Sequence, residues 1–93
     1  MTTLHMDVES VRSTSTTLQN VHDEMVSQIG SLASSVQGVV GSAWQGNSAT
    51  QFNSEFEQWR TSVNQMLEQL ALLKQRLESE INEWETMAQS LSG

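Results

Sequence analysis

Apolar residues recur along the first half of the chain at alternating spacings of four and three. This spacing places them in one stripe on a helix, which is the pattern of a heptad seam that faces another helix. Ser15 and His22 are the polar members of the stripe. The apolar members that we expect in the core are Leu18, Met25, Ile29, Leu32 and Val36.

The second half of the chain repeats this spacing and predicts a second long helix. Glu80 is the one polar member, and Ile81 beside it indicates that the stripe drifts there. Strict alternation of apolar and polar residues, the mark of a half-buried strand, never extends beyond a few residues. The core members that we expect here are Phe52, Phe56, Trp59, Val63, Met66, Leu70, Leu73 and Leu77.

A short turn is predicted between the two stripes, at Trp44 to Gly46. Gly46 can adopt the positive φ of a helix C-terminus at little steric cost, so we expect the first helix to end there. Ser48 begins a capping-box pattern, and Asn47 is the alternative N-cap. The second helix should therefore start directly after the turn.

These signals predict one domain, residues 1–93, with helices over about 7–43 and 48–90 and a turn at 44–46. So short a connection forces neighbouring helices to run antiparallel. Folding the chain about the turn keeps both stripes in phase, with facing positions whose numbers sum to about 91 or 92. The predicted fold class is all-α, an antiparallel two-helix hairpin.

The apolar stripe is wider than one partner helix can cover. A chain of 93 residues builds only a thin core, and the absence of cysteine excludes disulfides and thiolate metal sites as stabilisers. Oligomerisation is the remaining route, so we expect a four-helix bundle, either a homodimer or a pair with a related hairpin. The residues that widen the stripe are Val21, Val26, Val40, Trp44, Leu67 and Leu72.

The charge balance excludes two classes of partner. The chain has 4 basic and 11 acidic residues and a net charge of -7. Binding to a nucleic-acid backbone needs clustered Lys and Arg, and anionic membrane surfaces are disfavoured by the same sign. No apolar run approaches the roughly 20 residues that span a bilayer.

No catalytic, cofactor or metal site is predicted. Glu78 and Glu85 share one side of the helix, but such pairs are common on solvated faces. His22, Asp23 and Glu24 are consecutive, so we expect their side chains to diverge rather than bind one ion. An enzyme is therefore a distant alternative, since a thin hairpin should also lack room for a pocket of roughly 300 Å³.

The motif of Trp44, Gln45 and Gly46, at the turn of a cysteine-free helical hairpin, resembles the WXG-motif family of early-secreted-antigen-like proteins. The resemblance covers the whole chain. It implies a small substrate of bacterial type VII secretion, a virulence-associated family whose members act through protein–protein interaction. It also implies contact with a secretion ATPase and, since residues 1–7 lack a general secretory signal peptide, export from the cytoplasm without cleavage.

Members of that family commonly carry a C-terminal export signal in which Tyr is followed four positions later by an acidic residue. This chain has no Tyr. Ile81 with Glu85 keeps the spacing and is the candidate for a degenerate signal, whereas Trp84 has Ala88 at the acidic position. The alternative function is an intracellular structural or adaptor coiled coil unrelated to secretion.

Overall fold

The computed structural model describes residues 5–92, and within them two long helices run side by side. Helix α1 spans Val8–Val39 and helix α2 spans Asn47–Ser92. They pack against each other as a hairpin about 70 Å long. The predicted all-α, antiparallel two-helix hairpin is confirmed.

Helix α1 begins at a side-chain cap and ends earlier than the sequence indicated. Asp7 is the N-cap, and its carboxylate accepts a hydrogen bond from the Ser10 N–H at 3.2 Å, which lowers the pKa of Asp7. At the other end, Val40 is extended and Gly41 has φ +91°. The expected end near residue 43 was wrong, because the chain leaves helical geometry at Val40.

The turn satisfies the carbonyl groups that the end of α1 leaves free. The Val39 carbonyl accepts the Trp44 N–H at 2.9 Å, and the Trp44 carbonyl accepts the Gly41 N–H at 2.8 Å. The Ser42 hydroxyl donates to the Gly38 carbonyl at 2.8 Å. Backbone groups without partners would oppose a helix end, so these bonds stabilise a tight reversal of the chain.

Gly46 has positive φ, as expected, but a different position in the fold. Its φ is +111° and its carbonyl accepts the Thr50 N–H at 3.1 Å, which makes it the N-cap residue of α2. Gly41, not Gly46, is the positive-φ residue that follows α1. The predicted N-caps, Ser48 and its alternative Asn47, were both wrong, because α2 already begins at Asn47.

Three parallel rows of side chains on α2 account for its packing. The central row meets α1 along the whole hairpin and is buried or half-buried; it consists of Ala49, Phe56, Val63, Leu70, Leu77 and Trp84. The inner row, on one side of it, is also buried or half-buried; it consists of Asn53, Arg60, Leu67, Lys74 and Ile81. The open row, on the other side, is exposed; it consists of Phe52, Trp59, Met66 and Leu73.

Helix α1 therefore packs on the opposite flank of α2 from the one that the sequence pattern indicated. Around the axis of α2, a residue three positions after a central-row residue lies about 60° to one side of it, and a residue four positions after lies about 40° to the other side. A partner helix can therefore pack on either flank of the central row. Arg60 and Lys74 cover the core with their apolar stems and carry their charges to water. Because Arg60 and Lys74 are polar, the sequence pattern did not identify the inner row as part of the core.

On α1 near the turn, the residues that pack against α2 likewise lie one position beyond the expected stripe. Ala33 is 6% exposed and Val40 is half-buried, whereas Leu32 and Val39 are exposed. The Ser15 hydroxyl donates to Glu78 Oε1 at 3.3 Å. The numbers of these facing residues sum to 93, close to the 91 or 92 that the sequence predicted. Nearer the open end of the hairpin, Arg12 Nη2 lies 2.6 Å from Glu85 Oε1.

Alanine substitutions at two glycines should change stability in opposite directions. Gly41→Ala should destabilise the chain by about 1–2 kcal/mol, because a Cβ disfavours positive φ. Gly30→Ala should stabilise it by about 1 kcal/mol, because Gly30 lies inside α1 and a Cβ there meets nothing within 4 Å. Thermal unfolding followed by circular dichroism measures both, and shifts of the same sign would contradict this assignment of the turn.

Candidate functional site

One face of the hairpin carries six of the twelve large apolar side chains that are exposed within the described residues. It is formed by the open row of α2 together with the α1 residues beside it, and we name it the open apolar face. Trp59 is 48% exposed and Met66 is 54% exposed. The α1 residues of this face are Val21, Met25, Ile29, Leu32 and Val36.

A groove of about 460 Å³ runs along the middle of the open apolar face. Met25 and Ile29 form its α1 side, and Trp59, Val63 and Met66 form its α2 side. The groove is larger than a thin hairpin was expected to hold. It opens broadly to solvent, so it has the form of a contact surface rather than an enclosed pocket.

Aromatic side chains extend this surface towards the turn. A second groove, of about 350 Å³, lies between Leu32 and Val36 on one helix and Phe52 and Phe56 on the other. Ring centroids are 5.4 Å apart for Trp44 and Phe52, and 5.8 Å apart for Phe56 and Trp59. These distances are typical of stabilising aromatic pairs.

The opposite face of the hairpin is polar. A cleft there is lined by Arg12, Ser15, Lys74 and Glu78 among other polar residues. Lys74 Nζ lies 2.8 Å from Glu78 Oε1, and this contact together with the bond from Ser15 lowers the pKa of Glu78. Ser15 is 4% exposed, and its hydroxyl is satisfied by the bond to Glu78. The hairpin is thus two-sided, with one apolar and one polar face.

Charge is unevenly distributed along the hairpin. Residues 25–54, which include the turn and the adjoining part of both helices, contain no Asp, Glu, Lys or Arg. Most acidic residues lie towards the other end. Each of the four basic residues forms an ion pair within the chain: Arg12 with Glu85, Arg60 with Glu57, Lys74 with Glu78, and Arg76 with Glu80.

The residues expected to form one stripe divide between the hairpin core and the open apolar face. Leu67, Ala33 and Ile81 are buried although they were outside the expected core list. The buried or half-buried members are Leu18, Met25, Ile29, Val36, Phe56, Val63, Leu70 and Leu77. The exposed members are Leu32, Phe52, Trp59, Met66 and Leu73.

The turn motif and the candidate export signal occupy different ends of the molecule. Trp44 is partly exposed beside Phe52, and Gly46 caps α2. Ile81 is 2% exposed and Glu85 binds Arg12, so in this hairpin both residues take part in closing the end opposite the turn. Their use as a signal stays a prediction and requires that end to open.

The candidate chemical groups do not converge on an ion. Among the residues that the structure describes, no three His, Asp or Glu side chains could hold a metal. His22 Nδ1 does contact Asp23 Oδ1 at 3.3 Å, although consecutive residues were expected to diverge. Hydrogen bonds from His22 and Gln19 lower the pKa of Asp23. Glu24 is turned away and borders the groove of the open apolar face.

Within residues 5–92, neither helix has a segment both long and apolar enough to cross a membrane.

Comparison with known proteins gives one significant result. The family model WXG100, described as proteins of 100 residues with WXG, matches residues 3–89. No curated protein and no solved structure shows significant similarity to the chain. The match covers nearly the full length, including α1, the turn with Trp44 and Gly46, and all of α2 up to residue 89.

Proposed function

This chain belongs to the WXG100 family, and we propose that it is a small substrate of bacterial type VII secretion that acts by pairing with another hairpin rather than by catalysis. The observation that carries the proposal is the open apolar face. A free hairpin would leave Trp59, Phe52 and Met66 in water. Aromatic residues and methionine are enriched in protein interfaces, which makes this face a docking surface.

The partner that the face fits is a second copy of the chain. The open row is symmetric about the level of residues 62 and 63, because Phe52 and Leu73 lie equally far from it and so do Trp59 and Met66. A twofold axis at that level would place Trp59 of one copy against Met66 of the other. Such an arrangement pairs the same surface with itself, as closed dimers do.

The α1 side of the face has the same symmetry. Ile29 and Leu32 lie equally far from the level of residues 30 and 31, as do Met25 and Val36. The contact between Ser15 and Glu78 fixes a register in which residue 31 lies beside residue 62. One axis therefore serves both helices, and the result is an antiparallel four-helix bundle.

The charge distribution favours this antiparallel orientation. Parallel hairpins would bring two acidic ends together, whereas antiparallel hairpins place the acidic ends at opposite ends of the bundle, each next to the uncharged turn of the other copy. The open row spans about 32 Å at 1.5 Å per residue. Two helices of this length on each side can supply the roughly 1,200–2,000 Å² that stable interfaces bury.

The secretion part of the proposal rests on the family. We propose that the chain leaves the cytoplasm as a folded pair, without cleavage of its N-terminus, after contact with the secretion ATPase. Ile81 and Glu85 are the proposed equivalent of the export signal. Because Ile81 is buried in the hairpin, the proposal requires either local opening of that end or a related hairpin that supplies the signal.

The chain should appear in the culture medium of a bacterium with a working type VII system and stay inside a matched strain that lacks the secretion ATPase. Mass spectrometry of the exported protein should give the mass of the uncleaved chain. A cytoplasmic marker protein controls for lysis. Retention of the chain in the cells of both strains would favour the intracellular adaptor function instead.

Trp59→Glu should abolish pairing and preserve the hairpin, because Trp59 belongs to the exposed open row and not to the central or inner row that packs against α1. Loss of a central interface tryptophan typically weakens binding by about 2 kcal/mol or more, roughly thirtyfold in the dissociation constant. Gln58→Glu adds the same charge on the outward side of α2 and should pair like the parent chain.

Light scattering measures the mass of the three proteins, and circular dichroism measures their helicity. The parent chain should have the mass of two chains at about ten micromolar or more, a range well above the dissociation constant of a specific interface. A parent chain that stays a well-folded monomer there would contradict self-pairing and favour a related hairpin as the partner. Equal pairing by Trp59→Glu and Gln58→Glu would show that another face is used.

A further inference from the structure

Two of the five methionine side chains line the groove of the open apolar face. Of the five methionines, Met66 belongs to the open row, Met25 borders the same groove, and Met87 continues the line of the open row towards the end of α2. Met66 and Met87 are both exposed. The chain has no cysteine, so its methionine thioethers are its readily oxidised sulfur groups.

We infer that Met66 is an oxidation site through which two-electron oxidants such as hydrogen peroxide control pairing of the hairpin. This inference rests on the proposed pairing through the open apolar face. The thioether sulfur donates a lone pair to one peroxide oxygen, and the O–O bond breaks. Sulfur is oxidised by two electrons to the sulfoxide, the proton on the transferred oxygen passes to the other oxygen, and that oxygen leaves as water.

The location of Met66 makes the sulfoxide unfavourable in the paired state. In the proposed dimer, Met66 lies against Trp59 of the second copy, beside Val63 and Ile29 of its own chain. A sulfoxide oxygen is a polar acceptor, and burial of such a group among apolar side chains without a donor opposes association. In the separate hairpin the same oxygen faces water, so oxidation favours the unpaired state.

Pairing should in turn protect the sulfur. Met66 is exposed in the hairpin and becomes buried when the open apolar faces meet, so peroxide reaches it only in the unpaired chain. Met6 precedes α1 and lies outside all the rows that form the face. It serves as an internal reference whose reactivity pairing should not change.

The test uses the full chain, hydrogen peroxide, and the variants Met66→Leu and Met6→Leu. Leucine keeps a similar apolar volume, so both variants should pair like the parent chain before treatment. After peroxide, the dissociation constant of the parent chain and of Met6→Leu should rise about tenfold or more, whereas the logarithm of the dissociation constant of Met66→Leu should rise by less than half of the parent chain's increase. Enzymatic reduction of the sulfoxide should restore pairing of the parent chain.

Mass spectrometry of proteolytic fragments provides the second measurement. Met66 should oxidise faster in dilute, unpaired protein than in concentrated, paired protein, with Met6 unchanged between the two. Oxygen found on Met66 of protein that still pairs with unchanged affinity would overturn the inference and leave the proposed pairing intact. An untreated parent chain that does not pair would instead contradict the proposed function on which the inference rests.

Discussion

The structure depends on one packing constraint, which is that a single helix can cover only part of the apolar surface of another. Helix α2 carries apolar side chains on a central row and on both flanks of it. Helix α1 packs over the central and inner rows and leaves Phe52, Trp59, Met66 and Leu73 in solvent. The uncovered row leaves apolar surface in water, and the proposed pairing would bury it against a second hairpin.

The distribution of charge follows from the same constraint. A surface that is buried on association cannot carry unpaired charge without a desolvation cost. Residues 25–54 carry no charge, and Glu24 and Glu55, which border the two grooves, stand just outside this segment. Most acidic residues lie instead towards the opposite end, where Arg12 and Ser15 of α1 bind Glu85 and Glu78 of α2 and link the two helices. Net negative charge on the outside would favour solubility of the proposed bundle.

The sequence predicted the two helices and the turn correctly, but it indicated the wrong flank of α2 for the contact with α1. Heptad spacing was sufficient for two antiparallel helices and a turn near residues 44–46. It could not distinguish the two flanks of α2, because Arg60 and Lys74 look like surface residues although their stems cover the core. The glycine that ends α1 was also misplaced, since Gly41 and Gly46 are equally able to take positive φ and only the turn hydrogen bonds distinguish them.

Site-specific crosslinking tests most directly whether the open apolar face pairs with a second, antiparallel copy. Ser62→Cys places a single thiol on the rim of that face at the level of the proposed axis, and Ser90→Cys places one on the same side of α2 near its end. In the proposed dimer the two copies of residue 62 are adjacent and those of residue 90 are about 80 Å apart. A short bifunctional thiol reagent should therefore crosslink Ser62→Cys efficiently and leave Ser90→Cys uncrosslinked, whereas absence of a crosslink at residue 62 in protein that is dimeric by mass would contradict the account.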